Sequence, residues 1–193
     1  MLSLLRPALA SVGLFTLLLG LAYPLAITGV AQAAFPQQAD GSLVVRDGRI
    51  VGSALVGQAF TSARYLQGRP SAVDYDATGS GASNLGPLNP DLIAETSERA
   101  GAWRAATGSD NVPADAVTAS ASGLDPHISP ANALAQARRI AETRGADIDQ
   151  VRAVIANHVE GRTFGVLGQP RVNVLQTNLA LDAAFAPEQP APQ

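Results

Sequence analysis

From Pro7 to Ala39 the chain carries no charged residue, and within that window Ala8–Ala34 is a run of 27 mostly apolar positions. Roughly 20 such residues cross the ~30 Å hydrocarbon layer as a helix, so the run predicts one transmembrane helix over 8–34, with length to spare for tilt. A helix satisfies its own backbone groups where lipid cannot. Pro24 would kink such a span without forbidding it. The competing reading is a cleaved signal peptide, with Arg6 as the positive n-region and Ala31-Gln32-Ala33 as a small-x-small cleavage site. An h-region is normally ~7–15 residues, and this run is about twice that, so a retained anchor is expected. Arg6 and the terminal amine precede the run, whereas Arg46 and Arg49 follow it at a distance. The expected orientation is a cytoplasmic N-terminus (1–7) and an extracytoplasmic domain.

Beyond the span the pattern changes to short alternations. Ser42–Val45 and Ile50–Val56 read as a hairpin turned at Asp47-Gly48. Gly57–Pro90 is rich in Gly, Ser, Asn and Pro, and its length without regular structure marks it as functional or disordered. Tyr65 and Tyr75 argue for order. Asn89-Pro90 opens a helix as N-cap and N1, carried by Leu92, Thr96, Ala100 and Trp103 and ended by Gly108. Ser129-Pro130 repeats the device. Its helix should bury Ala133, Leu134, Ala137, Ile140 and Ala141, place Arg138, Arg139 and Arg144 near its C-terminal end, and stop at Gly145. Asp147 caps a third helix through Ile148, Val151, Ile155 and Val159. Val172–Leu175 reads as a strand and Asn178–Phe185 as a closing helix. The expected fold class is one α+β (mixed α/β) domain over 35–185, with 186–193 (APEQPAPQ) a disordered tail.

Composition narrows the functions. The net charge of −3 provides no basic field for nucleic acid. Without cysteine there are neither disulfides nor thiolate metal sites. All thirteen basic residues are arginine; a GC-rich coding sequence explains that more economically than an anion-binding bias.

Candidate chemistry is sparse. Ser122, Asp125, His127 and Ser129 share the segment SGLDPHISP, but triad members normally converge from separate elements, and here Ser129 is needed as a helix cap. The only other histidine, His158, sits about thirty residues away without ligand spacing, so no metal site is expected. Gly79–Asn84 resembles a phosphate loop superficially; a Walker loop requires lysine, and a Rossmann loop opens directly into a helix. No catalytic residue is expected.

These loops form a series instead: YPLAIT (23–28), GSALVGQAF (52–60), GRPSA (68–72), SGASNLGPLNP (80–90), VTASASGLDPHISP (117–130) and GQPRVNVLQTNLALD (168–182). In this order they closely resemble the C subunit of the bacterial potassium-transporting ATPase, the Kdp system. The match covers almost the whole chain and is weakest around 105–111 and in the tail.

The resemblance implies a non-catalytic subunit with one span and an extracytoplasmic domain in the bacterial plasma membrane. Its implied partners are a channel-like potassium-translocating subunit, a P-type ATPase subunit and a small lipid-like subunit. It also implies a catalytic chaperone that raises the pump's affinity for ATP, with ATP in a ternary complex and no cofactor bound independently. A nucleotide contact proposed for the family falls on Gln136, although ATP lies across the membrane from the expected domain position, which favours indirect action. Gly13, Thr16 and Gly20 share one helical face and should pack against other spans. The two Pro-ended loops 80–90 and 120–130 should lie close together, with Asn84, Asp125 and His127 as partner contacts. The alternative is a free-standing membrane-anchored extracytoplasmic ligand-binding protein whose pocket is walled by the 57–90 loop with Arg64, Arg69 and Tyr75.

Overall fold

The computed structural model describes residues 2–185; the expected tail, 186–193, lies outside the described residues. The chain divides into two compact units, 1–51 and 52–193.

In the first unit, α1 (Leu2–Leu17) passes through a π-helical turn (Leu18–Ala22) into α2 (Tyr23–Ala34). Helix α1 begins six residues before the expected start, with Pro7 inside it. Among the described residues one helix, Leu4–Ala34, is long and apolar enough to cross a membrane, and none of it is buried in protein. The π turn has a local cause. Pro24 has no N–H and its ring crowds the carbonyl four residues back, so the ladder widens ahead of it, and Tyr23 N–H bonds the Leu18 carbonyl. A short helix α3 (Pro36–Ala39) leads into the hairpin β1 (Leu43–Arg46) and β2 (Arg49–Ser53), turned as expected at Asp47 and Gly48, both at positive φ.

The second unit is α+β. Strands β3 (His127–Ile128), β4 (Val159–Glu160) and β5 (Arg171–Asn173) form an antiparallel sheet in the order β3-β5-β4. Ile128 and Val159 both pair with the fully buried Val172. Around this sheet lie α4 (Pro90–Thr107), α5 (Ala114–Val117), α6 (Pro130–Ala135), α7 (Ala137–Arg144), α8 (Ile148–Asn157) and α9 (Val174–Ala184). The core joins Ile128, Ala133, Ala137, Ile140, Val151, Ile155, Val172 and Leu181 with Leu66 from the long loop. Each fully buried large aliphatic stabilises this unit by roughly 1.5–3 kcal/mol.

Helix ends follow the expected chemistry. Asn89, Ser129 and Asp147 accept from the backbone N–H groups of the turns they open, while Gly108 and Gly145 close helices in the left-handed conformation.

Four expectations are corrected. The helix from Pro130 is two, broken at Gln136 (φ −76°, ψ −13°), whose N–H bonds the Ala133 carbonyl instead of the one four residues back. Leu134 faces solvent (39% exposed), and Asn132 and Gln136 take its place inside. Val159 belongs to β4, because α8 ends at Asn157. The strand expected over 172–175 stops at Asn173, whose side chain accepts from Gln176 N–H and starts α9 four residues early.

Candidate partner-docking surface

The segment 57–89 has no helix or long strand, yet side chains from the helical core fasten it at several points. The side chain of Arg144 is completely buried: Nε donates to the Arg64 carbonyl (2.8 Å), Nη1 to the Leu181 carbonyl (3.2 Å) and Nη2 to Asp182 (3.0 Å). Its guanidinium lies 5.2 Å from the Tyr65 ring centroid, and Tyr65 donates to Asp182 (3.1 Å). Burial first, then Asp182, raises the Tyr65 pKa. Arg139 donates to the Ala63 and Tyr65 carbonyls; burial lowers its pKa. Asn178 pairs with both backbone groups of Leu66. Arg139 and Arg144, which sequence reasoning assigns to a helix end, are therefore clamps on a loop, whereas Arg138 pairs with Glu142 on its own helix.

Gln136 is 1% exposed. Its Oε1 accepts from Gln67 N–H (2.9 Å) and Arg139 Nη2 (2.7 Å), and its Nε2 donates to the Gln67 carbonyl (3.1 Å) and Asn132 Oδ1 (2.8 Å). Both N–H donors and both oxygen lone pairs are thus used internally.

Farther along, the long loop is stitched to the loop before β3. Ser120 N–H bonds the Pro70 carbonyl (2.9 Å), Gly81 N–H the Ser122 carbonyl (2.9 Å) and Gly57 N–H the Leu124 carbonyl (2.8 Å). Ser71 and Ser80 donate to the Gly123 and Ser122 carbonyls. Gly123 permits this approach. Its φ is +70°, and a Cβ there would lie 2.4 Å from Val73 Cγ2 and 2.9 Å from the Gly81 carbonyl oxygen. The two Pro-ended loops are therefore neighbours in the fold.

Arg69 Nη1 pairs with Asp125 Oδ2 (3.1 Å), and Nη2 donates to the Thr118 and Ala119 carbonyls. Asp125 Oδ1 accepts from His127 N–H (3.0 Å), a turn bond within DPH, and lies 3.8 Å from His127 Nδ1. The partly buried His127 ring also approaches Asn173 Nδ2 (3.5 Å). Desolvation lowers the His127 pKa and nearby Arg171 acts the same way, while Glu160 and Asp125 oppose them. Asp115, which sequence reasoning missed, accepts from Ser129 N–H, Ser129 Oγ and Asn132 Nδ2. An acidic residue fourteen positions before a Ser-Pro cap carries no local signal of that role.

The structure thus brings Asp125 and His127 together. Asn84 sits apart on the exposed continuation of the stitched loop, at φ +52°, with Nδ2 donating to the Ala82 carbonyl. In the separate helical unit, an ideal Cβ on Gly20 would lie 3.9 Å from Thr16 Cγ2, and apart from the adjacent residues and the helix's own backbone no atom comes within 4 Å of one on Gly13. A cavity of about 470 Å³ lies between the long loop and α4, lined by Phe60, Arg69, Tyr75, Arg99 and Trp103 but not by Arg64. Arg69 Nε and Trp103 Nε1, both buried, have no hydrogen-bond partner there. Among the described residues no group of three or more His, Cys, Asp or Glu side chains is placed to hold a metal.

The family described as K+-transporting ATPase, c chain, matches residues 5–183. A potassium-transporting ATPase KdpC subunit of Caulobacter vibrioides is 59% identical over 97% of this chain and 96% of its own length. One from Cereibacter sphaeroides is 57% identical over 96% of this chain and all of its own, and one from Sorangium cellulosum is 56% identical over 95% and all of its own. The chain belongs to the KdpC family, the c chains of potassium-transporting ATPases.

Proposed function

We propose that this chain is a non-catalytic subunit of an ATP-driven potassium pump, held in the bacterial plasma membrane by the Leu4–Ala34 helix with its N-terminus cytoplasmic and its domain extracytoplasmic. The observation that carries the proposal is the family match from residue 5 to residue 183, which includes the helix and the domain. The helix packs against the spans of the channel-like, P-type and small lipid-like subunits along Gly13, Thr16 and Gly20, where small side chains allow close approach. The domain docks through the stitched loops, with Asn84, Asp125 and His127 at the contact. It binds no cofactor by itself and raises the ATP affinity of the P-type subunit through docking. The internal bonding of Gln136 supports that indirect route, because a nucleotide contact at this side chain would have to break bonds to Gln67, Asn132 or Arg139.

Purification from membranes in mild detergent tests this reading. Co-purification with a P-type ATPase showing potassium-stimulated ATP hydrolysis is expected. A chain that purifies alone, and restores nothing to a pump lacking it, would sink the proposal. The second reading, a free-standing anchored protein for a small ligand, draws on the cavity beside α4, where Arg69, Tyr75 and Trp103 meet. It predicts the solitary behaviour, with ligand binding lost on Trp103→Ala.

A further inference from the structure

The turn between β4 and β5 presents apolar side chains that the domain does not use. Phe164 is 89% exposed, Val166 71% and Leu167 59%. Thr163 and Leu167 pair across it, and Val166 N–H bonds the Thr163 carbonyl, with Phe164 (φ +54°) and Gly165 (φ +77°) at the two central positions. A turn with positive φ at both centres selects Asn, Asp or Gly for the first of them; a bulky aromatic is unfavourable there. Phe164 is thus poorly suited to its backbone and stabilises nothing in its own domain. Exposed apolar clusters of this kind mark contact surfaces.

The base of the turn is polar and meets the surface already described. Arg162 donates to Gln169 (3.3 Å), and Arg171 pairs with Glu160 (2.8 Å). Gln169 and Arg171 share a trough of about 480 Å³ with Asp115, Asp125, His127 and Ser129. The base of the turn therefore borders the Asp125–His127 site, and its tip carries an apolar anchor on the same hairpin as one wall of a mixed-charge trough. An aromatic anchor within a polar surround is the usual anatomy of a protein–protein contact. The charges decide against lipid: Asp115, Asp125 and Glu160 balance Arg69, Arg162 and Arg171, so no cationic collar surrounds the tip, as binding to an anionic bilayer surface would require.

We infer that the 163–167 turn inserts Phe164, with Val166 and Leu167, into an apolar recess on the extracytoplasmic face of a sister subunit, next to a polar contact made by the Asp125–His127 trough. This inference rests on the subunit reading.

The test titrates full-length chain, in mild detergent, into pump subunits prepared without it and follows potassium-stimulated ATP hydrolysis. The double variant Phe164→Asn, Val166→Ser should require about tenfold or more protein for half-maximal recovery. Its melting temperature should be unchanged or higher, since Asn suits the turn. Phe164→Trp should keep near-normal half-saturation. Equal half-saturation of the double variant and the parent would overturn the inference while leaving the subunit reading intact. A lower melting temperature would show that the tip serves the fold, and a defect present in lipid vesicles but absent in detergent would assign the tip to the bilayer; either overturns the inference. If the parent chain itself restores nothing, the subunit reading fails and the inference fails with it.

Discussion

Helices α6–α9 and the segment 57–89 are held in place by opposite means. The helices bury an apolar stripe, Ala133, Ala137, Ile140, Ala141, Val151 and Ile155, with each element supplying its own backbone hydrogen bonds. The long segment contributes only Leu66 to the fully buried aliphatics. Its backbone groups are satisfied from outside: by Arg139, Arg144, Gln136 and Asn178 at one end and by the loop before β3 at the other. Apolar burial is non-directional and tolerates repacking, whereas polar clamps are directional and leave stranded partners when cut. Stability in the long segment should therefore depend on a few side chains.

The sharpest way to break that contrast is Arg144→Ala. It takes the guanidinium from Asp182, which keeps only neutral partners such as the Tyr65 hydroxyl, leaves two carbonyls unpaired and removes the cation over Tyr65, so a loss of about 3–5 kcal/mol is expected, read from thermal or urea unfolding of the full chain in detergent. A loss under about 1 kcal/mol would mean that the clamp is redundant. Gly123→Ala comes next. The left-handed backbone alone makes an ordinary residue unfavourable by roughly 1–2 kcal/mol, and the clash with Val73 and the Gly81 carbonyl adds to it. Faster proteolysis within 70–84 is the accompanying sign that the stitched loops have parted.

Gln136→Leu keeps the approximate volume and removes four hydrogen bonds. It should cost about 1–3 kcal/mol by leaving the Gln67 backbone groups unsatisfied. A variant of unchanged stability with weakened nucleotide affinity in the assembled pump would instead favour a direct ATP contact.

The smallest expected effect concerns pH. The His127 pKa in the fold lies below its ordinary value, so the unfolded chain binds the proton more readily. Stability is then full above about pH 6.5 and declines as the pH falls below it. His127→Asn should flatten that part of the profile, and an unchanged slope would place its origin elsewhere. Paired with Asn84→Gly, which suits a φ of +52°, the substitution should impair pumping while changing stability little.

The two regions were unequally legible in the sequence for the same reason. The helices carry local signals: the 3.6-residue spacing of Ala133, Ala137 and Ile140, the caps Asn89, Ser129 and Asp147, and the stops Gly108 and Gly145. Leu134 misleads because hydrophobicity alone ranks it above Asn132 and Gln136, whose burial depends on partners some seventy positions away in Gln67 and on the distant Asp115. Arg139 and Arg144 look like complements to a helix dipole, a reading that fits every local rule; their true partners, in 63–65 and at Asp182, are set only by the tertiary fold. Tyr65 and Tyr75 were the one visible sign that the Gly/Ser/Pro-rich stretch is ordered. For the candidate docking surface, the DPH turn was readable, while the contribution of Arg171 and Gln169 to its trough was not.

The wide turn at Leu18–Ala22 has a consequence for the span as an object. One additional residue in a turn advances the following helix by about 100° relative to an unbroken one. Gly29, which an unbroken helix would set about 180° around from Gly20, therefore lies about 80° from it, off the line of Gly13, Thr16 and Gly20. Such a rod is cut like a key: its two halves point their small-residue faces along different bearings. Sliding it by one turn, or spinning it to satisfy one half, would misalign the other, so its depth and rotation are specified together by whatever surrounds it.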